Sequence, residues 1–271
     1  YGLTTSFPPE VHRESSQVSY AIPPEEVAAR TDLRGLPIVT IDGENARDFD
    51  DAVYVRKQGD HYELYVSIAD VAHYVTPETA LDQEAYTRAT SVYFPDRAIP
   101  MLPEALSNGI CSLNPHEDRL TKSVFIEVNA KGEVILSRFF NSVIRSHERM
   151  TYTDVRRILI DKDPQCLERY RNLIGEFQLM EELARLIYER RRARGKLDFD
   201  LPEAEIILDL QGVLENIIRA ERNIAHRIIE EFMIAANEAV ARHLTEKDFP
   251  TLYRVHEGQD PEALEAWAQF L

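Results

Sequence analysis

Cysteine and glycine are scarce in this 271-residue chain, and basic side chains are outnumbered. The two cysteines, Cys111 and Cys166, leave room for at most one disulfide and exclude a disulfide framework. Reduced thiols in a cytoplasmic compartment are the expectation. Ten glycines are too few for a linker-rich or low-complexity chain, and no Gly-rich nucleotide loop is present. No apolar run reaches the roughly 20 residues that span a bilayer, so no membrane partner is expected. The start lacks the pattern of a secretory signal. Thirty-one Lys and Arg stand against 47 Asp and Glu, for a net charge of −16. That balance disfavours a broad nucleic-acid surface, because phosphate contacts need cations. A local basic groove inside an acidic shell escapes the exclusion. The chain opens on Tyr1, and "DPEALEAWAQFL" starts a helix after Pro261 that stops uncapped. A piece of a longer polypeptide is expected.

What is present reads as strands followed by helices. Residues 1–36 are polar and irregular, punctuated by Pro8-Pro9 and Pro23-Pro24, and read as a linker wrapping onto the domain. "PIVTID" (37–42) is a strand. "DAVYVRK" (51–57) and "YELYVSIAD" (62–70) flank "QGDH" as a hairpin, and "TKSVFIEVN" and "VILSRFFNSVIRS" flank "AKGE" as a second. A helix is expected over 80–89 and a loop over 91–107. From 153 the chain turns mostly helical, with Leu173, Phe177, Met180, Ala184 and Ile187 at helical spacing and a long helix at 223–244. The order predicts an α+β domain with a mixed, mostly antiparallel sheet packed with helices.

The chemistry concentrates in "IDGENARDFDDAVYV" (41–55), where Asp42, Asp48, Asp50 and Asp51 fall within ten residues beside β-branched and aromatic ones. Crowded like charges near an apolar segment resist burial. A solvated turn accounts for Asp48 but poorly for Asp50-Asp51, which run straight into "AVYV". A calcium loop of the EF-hand type needs ligands at fixed offsets, a sixth-position Gly and a closing Glu, and that spacing is missing. A magnesium site suits a strand end plus a returning loop, with carboxylates sharing a hard cation and a substrate phosphate. Residue chemistry alone leaves the turn and the magnesium readings open.

Four longer motifs follow in order: "TIDGENARDFDDAVYV", "SIADVAHYV", "TSVYFPDRAIPMLPEALSNGICSLNP" and "RIIEEFMIAAN". Together they resemble the ribonuclease II / ribonuclease R (RNB) family, and "DLRGLPIVTIDGE" and "SVYFP" bring the chain nearer its ribonuclease R branch. The resemblance covers about residues 30–271. It implies an RNB catalytic-domain fold and a processive, metal-dependent 3′→5′ exoribonuclease that hydrolyses single-stranded RNA to nucleoside 5′-monophosphates. It implies Mg²⁺, one or two ions, held by Asp42, Asp48 and Asp51. Asp50 falls where the family has its residue indispensable for turnover, directing the attacking water or holding a second metal. The family's base-clamping aromatics fall on Tyr93 and Phe199, and a tyrosine and a glutamate linked to substrate selection fall on Tyr152 and Glu230. It also implies that residues 1–30 are the connector from absent N-terminal cold-shock domains and that 31–271 are the N-terminal portion of the catalytic domain. The family's active-site arginine and its S1 domain lie downstream of the positions that this chain matches.

Other residues weigh differently. Tyr93, among Val92, Phe94 and Pro95, also suits a core aromatic. Phe199, between Lys196, Asp198 and Asp200, suits stacking on a base, worth roughly 1–3 kcal/mol and tolerant of any base. "ERRRARGK" carries Arg190, Arg191, Arg192, Arg194 and Lys196, and reads first as a solvated helix C-terminus and second as a phosphate-contacting run. In the long helix Ile228, Phe232, Ala235 and Ala239 form an apolar stripe, while His226, Glu230 and Asn237 face a channel or an internal network. All eight histidines are read as structural, and Asp70 as a helix cap. Two rivals remain. A non-catalytic RNA-binding relative would not keep all four aspartates. An unrelated magnesium phosphatase or nucleotidyltransferase would need a different motif order.

Overall fold

β-Branched and aromatic residues dominate "AVYV" and "YELYVSIA", and a strand covered on both faces needs just such a continuous apolar run. The computed structural model describes residues 2–196, 204–209, 211–219, 222–253, 255, 258 and 260–270. Its main sheet has seven strands: β1 (Thr31–Asp32), β2 (Val39–Asp42), β3 (Asp51–Gln58), β4 (His61–Ala69), β7 (Asp118–Val128), β8 (Val134–Arg145) and β9 (Glu148–Thr151). Their spatial order is β1-β8-β7-β4-β3-β2-β9. The two outer pairs, β1–β8 and β2–β9, are parallel, and the inner pairs are antiparallel. This is the mixed, mostly antiparallel sheet expected of an α+β chain.

Both predicted hairpins form. β3 pairs with β4 from Asp51↔Ile68 to Gln58↔His61. β7 pairs with β8 over a turn in which Gly132 has φ of +74°. A Cβ at Gly132 would sit 2.6 Å from the Leu186 carbonyl oxygen, so the turn packs on the neighbouring helix only as glycine.

Alternate side chains of β3 enter different cores. Val53 and Val55 pack with Ile41, Phe177, Met180, Ile228 and Phe232, beneath α7 (Ile174–Ala193) and α8 (Ile224–Glu246). Ala52 and Tyr54 pack on the other face with Ile38, Phe49 and Leu113. The apolar positions expected on both helices are buried as predicted. Asn223 caps α8 by accepting from the Ala225 N–H, and its own N–H donates to the His226 ring.

Several segments depart from expectation. The N-terminal stretch is not irregular: it forms α1 (Pro9–Gln17) and α2 (Pro24–Ala28), each started by a proline in its first turn. Val11 is buried against Leu81, Leu102, Leu106 and Ile110. The Glu14 carboxylate accepts from the Ala80 and Leu81 N–H groups at the start of α4 (Ala80–Arg88). The 91–107 region contains a short hairpin, β5 (Val92–Tyr93) with β6 (Ala98–Ile99), and leads into a π-helical turn over Ala105–Ile110. Asp70 precedes α3 (Val71–Tyr74) but its side chain caps nothing. The carboxylate, 3% exposed, is instead ion-paired to Arg30 at 2.9 Å, because a buried charge needs a countercharge more than a short helix needs a cap. Beyond β9, α5 (Tyr152–Arg156), a π-helical turn over Arg157–Asp161 and α6 (Pro164–Arg169) lead into α7. A second hairpin, β10 (Ala204–Leu208) with β11 (Leu214–Arg219), interrupts the region expected to be helical. α9 (Pro261–Phe270) ends the described chain. Among the described residues no helix is long and apolar enough to cross a membrane.

Candidate active site

The β2–β3 connection carries all four aspartates. Asp42 is the last residue of β2, Asp51 the first of β3, and the antiparallel register Val39↔Val53 brings those strand ends together. β9 runs beside β2 with Asp42 opposite Thr151, which delivers Tyr152 to the same place.

The connection is clamped from outside. The Ser112 hydroxyl, fully buried, accepts from the Phe49 N–H at 3.0 Å and donates to the Arg47 carbonyl at 3.0 Å. The Leu113 N–H donates to the Phe49 carbonyl at 2.9 Å. Phe49 is buried between Asp48 and Asp50 and anchors both. On the other side, Arg149 Nη2 donates to the Glu44 and Ala46 carbonyls at 2.7 and 3.3 Å, and its guanidinium lies 5.1 Å from the centre of the Phe49 ring. Thr153 donates to the Glu44 carboxylate.

The aspartates perturb one another. Burial pushes the Asp51 carboxyl up to about 6, helped by the charges of Asp42 and Asp50. Burial also raises Asp50, with Asp48 and Asp42 adding to it. Asp42 is raised by burial, against the Gly43 N–H that donates to it at 2.7 Å, with Asp48 pushing up and Arg149 and His226 pulling down. Asp51 Oδ2 is buried with no hydrogen-bond partner, and among the described residues none of the four forms an ion pair. Groups left in that state suit a hard divalent cation, which offsets repulsion and satisfies orphaned oxygens. The chemistry of the donors therefore fits Mg²⁺. Their spacing is open: among the described residues no three His, Cys, Asp or Glu side chains are gathered closely enough to hold an ion.

A cleft of about 1030 Å³ opens over Asp42, Asp48 and Asp50. Tyr93 stands on its rim, 67% exposed, and its hydroxyl donates to Asp48 Oδ2 at 2.8 Å. It is therefore no core aromatic. Phe94, Arg47, Arg97 and Arg149 line the same cleft. Tyr152 lies beside Asp42 and Asp51, and burial followed by those two charges raises its hydroxyl to about 12. Its ring stacks on His226 with centroids 3.8 Å apart.

The expected residues divide into those that meet and those that do not. Asp42, Asp48, Asp50, Asp51, Tyr93 and Tyr152 meet. Glu230 is not among the residues that line the cleft, and it pairs with Lys196 at 3.4 Å and with Arg222. Phe199 lies outside the described residues. The basic run is committed to carboxylates: Arg190 to Glu133, Arg191 to Glu231, Arg192 to Glu189, Arg194 to Glu238 and Lys196 to Glu231. That pairing favours a structural role for the run over phosphate contact.

Three contributors were missed from sequence. His226, read as structural, stacks on Tyr152 and faces Asp42 and Glu44 electrostatically. Ser112 and Arg149 hold the aspartate loop. Arg149 stands three residues before Tyr152, the one local signal that could have found it. Ser112 lies inside the quoted motif that ends in "SNGICSLNP", but nothing local marks it as a clamp, because its partners are more than 60 residues away.

The RNB domain model matches residues 30–271, and the chain belongs to that family. It is 45% identical to ribonuclease R of Aquifex aeolicus over 100% of this chain and 38% of that one. It is 43% identical to ribonuclease R of Escherichia coli over 98% of this chain and 33% of that one. Among solved structures, Mycoplasma genitalium RNase R in complex with double-stranded RNA superposes with a TM-score of 0.90 at 33% identity, over 96% of this chain and 46% of that one. The chain thus spans less than half of each of these relatives.

Proposed function

We propose that this chain carries the acidic wall of a processive 3′→5′ exoribonuclease that hydrolyses single-stranded RNA to nucleoside 5′-monophosphates in the cytoplasm. The observation that carries the reading is the open cleft over mutually perturbed aspartates, with Tyr93 tethered to Asp48 at its rim. Family membership and the relatives' names support it. One solved relative is Mycoplasma genitalium RNase R in complex with ribose-methylated single-stranded RNA.

Asp42, Asp48 and Asp51 would hold Mg²⁺. The chemistry Mg²⁺ supplies when bound is activation of water at neutral pH and neutralisation of phosphate charge. The chain's own groups do the rest. Asp50, its affinity for a proton raised by burial, aligns the attacking water and accepts a proton from it. Tyr93 and Phe199 stack on bases without reading sequence, as repeated removal of any nucleotide requires. Tyr152 and Glu230 contribute to substrate selection, and discrimination of RNA from DNA rests on the 2′-hydroxyl.

The test is an assay of the full chain on end-labelled single-stranded RNA with Mg²⁺. Mononucleotides should accumulate without a ladder of intermediates. Asp50→Asn should bind RNA normally and lose release by at least a hundredfold, the scale of a lost acid–base group. Undiminished release from Asp50→Asn would sink this role for Asp50.

A further inference from the structure

Arg149 is an unneutralised cation at an acidic centre. It lines the same cleft as Asp42, Asp48 and Asp50, and lies close enough to lower the proton affinity of Asp42 and Glu44. Yet among the described residues it forms no ion pair with any carboxylate. Its bonds go from Nη2 to two backbone carbonyls, which are neutral acceptors and leave the positive charge intact. Nη1 has no hydrogen-bond partner among the described residues, and Nε is buried without one. The two other arginines of the cleft differ: Arg47 is exposed, and Arg97, two-thirds exposed, pairs with Asp96 at 3.8 Å. Arg149 alone of the three is fixed by two backbone contacts and an aromatic ring, so little side-chain freedom is lost when it meets a ligand.

A planar guanidinium held in place with donors in reserve is suited to a phosphate oxygen. We infer that Arg149 binds a backbone phosphate of the RNA strand lying over the aspartates, a substrate contact distinct from the aspartates themselves. The inference rests on the RNA reading above and adds to it a named cation in this part of the chain. It also supplies the local basic element that the net charge of −16 left unaccounted for.

A phosphate contact has a signature that a loop tether lacks. Binding to single-stranded nucleic acid falls with salt at a slope of about 0.7 per neutralised phosphate on a double-logarithmic scale. In the full chain without Mg²⁺, Arg149→Ala should raise the dissociation constant for single-stranded RNA by about tenfold, irrespective of sequence, and reduce the salt slope by about 0.7. Arg149→Lys keeps the charge and should retain the slope. Calorimetric titration of Mg²⁺ into RNA-free protein reads the loop tether separately, and Arg149→Ala should change Mg²⁺ affinity by much less than it changes RNA affinity. An unchanged salt slope in Arg149→Ala overturns the inference, whether or not affinity falls. So does a loss of Mg²⁺ affinity equal to the loss of RNA affinity, since Arg149 then acts only by tethering residues 44–46. If the wild type binds no RNA, both readings fall. If the wild type binds and the Arg149→Ala slope is unchanged, this one falls alone.

Discussion

The aspartates of the β2–β3 connection and the charged side chains of α7 and α8 are both dense in ionised groups, and they are wired in opposite ways. At the C-terminal end of α7 each basic residue from Arg190 to Lys196 has a carboxylate partner. Glu231, 2% exposed, accepts from Arg191 with both oxygens at 2.8 Å and from Lys196 at 2.9 Å. In the connection four acids face one another, one oxygen is orphaned, and the nearby Arg149 bonds to backbone instead. A chain selected only to fold would not leave charge in the second state. The contrast separates charge that holds the structure from charge held in readiness for something outside it.

Three substitutions sharpen that contrast. Glu231→Gln leaves Arg191 without its countercharge in a largely buried setting and should destabilise the fold by about 3 kcal/mol, read as a lower denaturant midpoint at constant m. A neutral result would mean that the network is dispensable.

Asp51→Asn should do the reverse. Burial, with the charges of Asp42 and Asp50, pushes the folded Asp51 carboxyl up to about 6, against 3.8 for a free aspartate. The folded state therefore binds the extra proton between those values, and stability is lost as pH rises through about 4 to 6. A gap of about two units corresponds to about 3 kcal/mol at pH 7, an upper figure because the carboxyl is not wholly buried. Metal-free Asp51→Asn should melt several degrees higher than the parent at pH 7, with the difference vanishing near pH 4. An excess that persists at pH 4 would assign the effect to something other than charge.

The smallest effect is expected from Arg194→Ala. Its pair with Glu238 is half exposed on both sides, and such pairs contribute under about 1 kcal/mol. A loss as large as that of Glu231→Gln would show that burial is not what divides the network.

Much of the fold was legible in the chain. The two hairpins are written as apolar runs around short turn sequences, and α7 and α8 as apolar residues at helical spacing. The N-terminal helices were not. Their apolar content is one or two residues each, and α1 is ordered by contacts with residues 66 or more positions away. The β10–β11 hairpin was missed because its apolar residues, Ile206, Leu214, Ile217 and Ile218, stay substantially exposed and alternate weakly. In the site, the aspartates, Tyr93 and Tyr152 could be named from motifs. Asp70 could not be assigned correctly, because its countercharge, Arg30, lies 40 residues before it in the chain.

By itself, then, the sequence determined which chemistry is available. Four carboxylates in ten residues, aromatic residues in fixed motifs and an apolar pattern for a mixed sheet are properties of local order along the chain. Only the tertiary structure decided which charges are neutralised. The basic run and the aspartate cluster look equally free as strings of letters. Folding brings Glu231 and Glu238 to the one, and gives the other a buried clamp at Ser112 and an arginine whose charge is left uncancelled. The reason is physical: electrostatic energy depends on separation and burial in space, and neither is recorded by position in the chain.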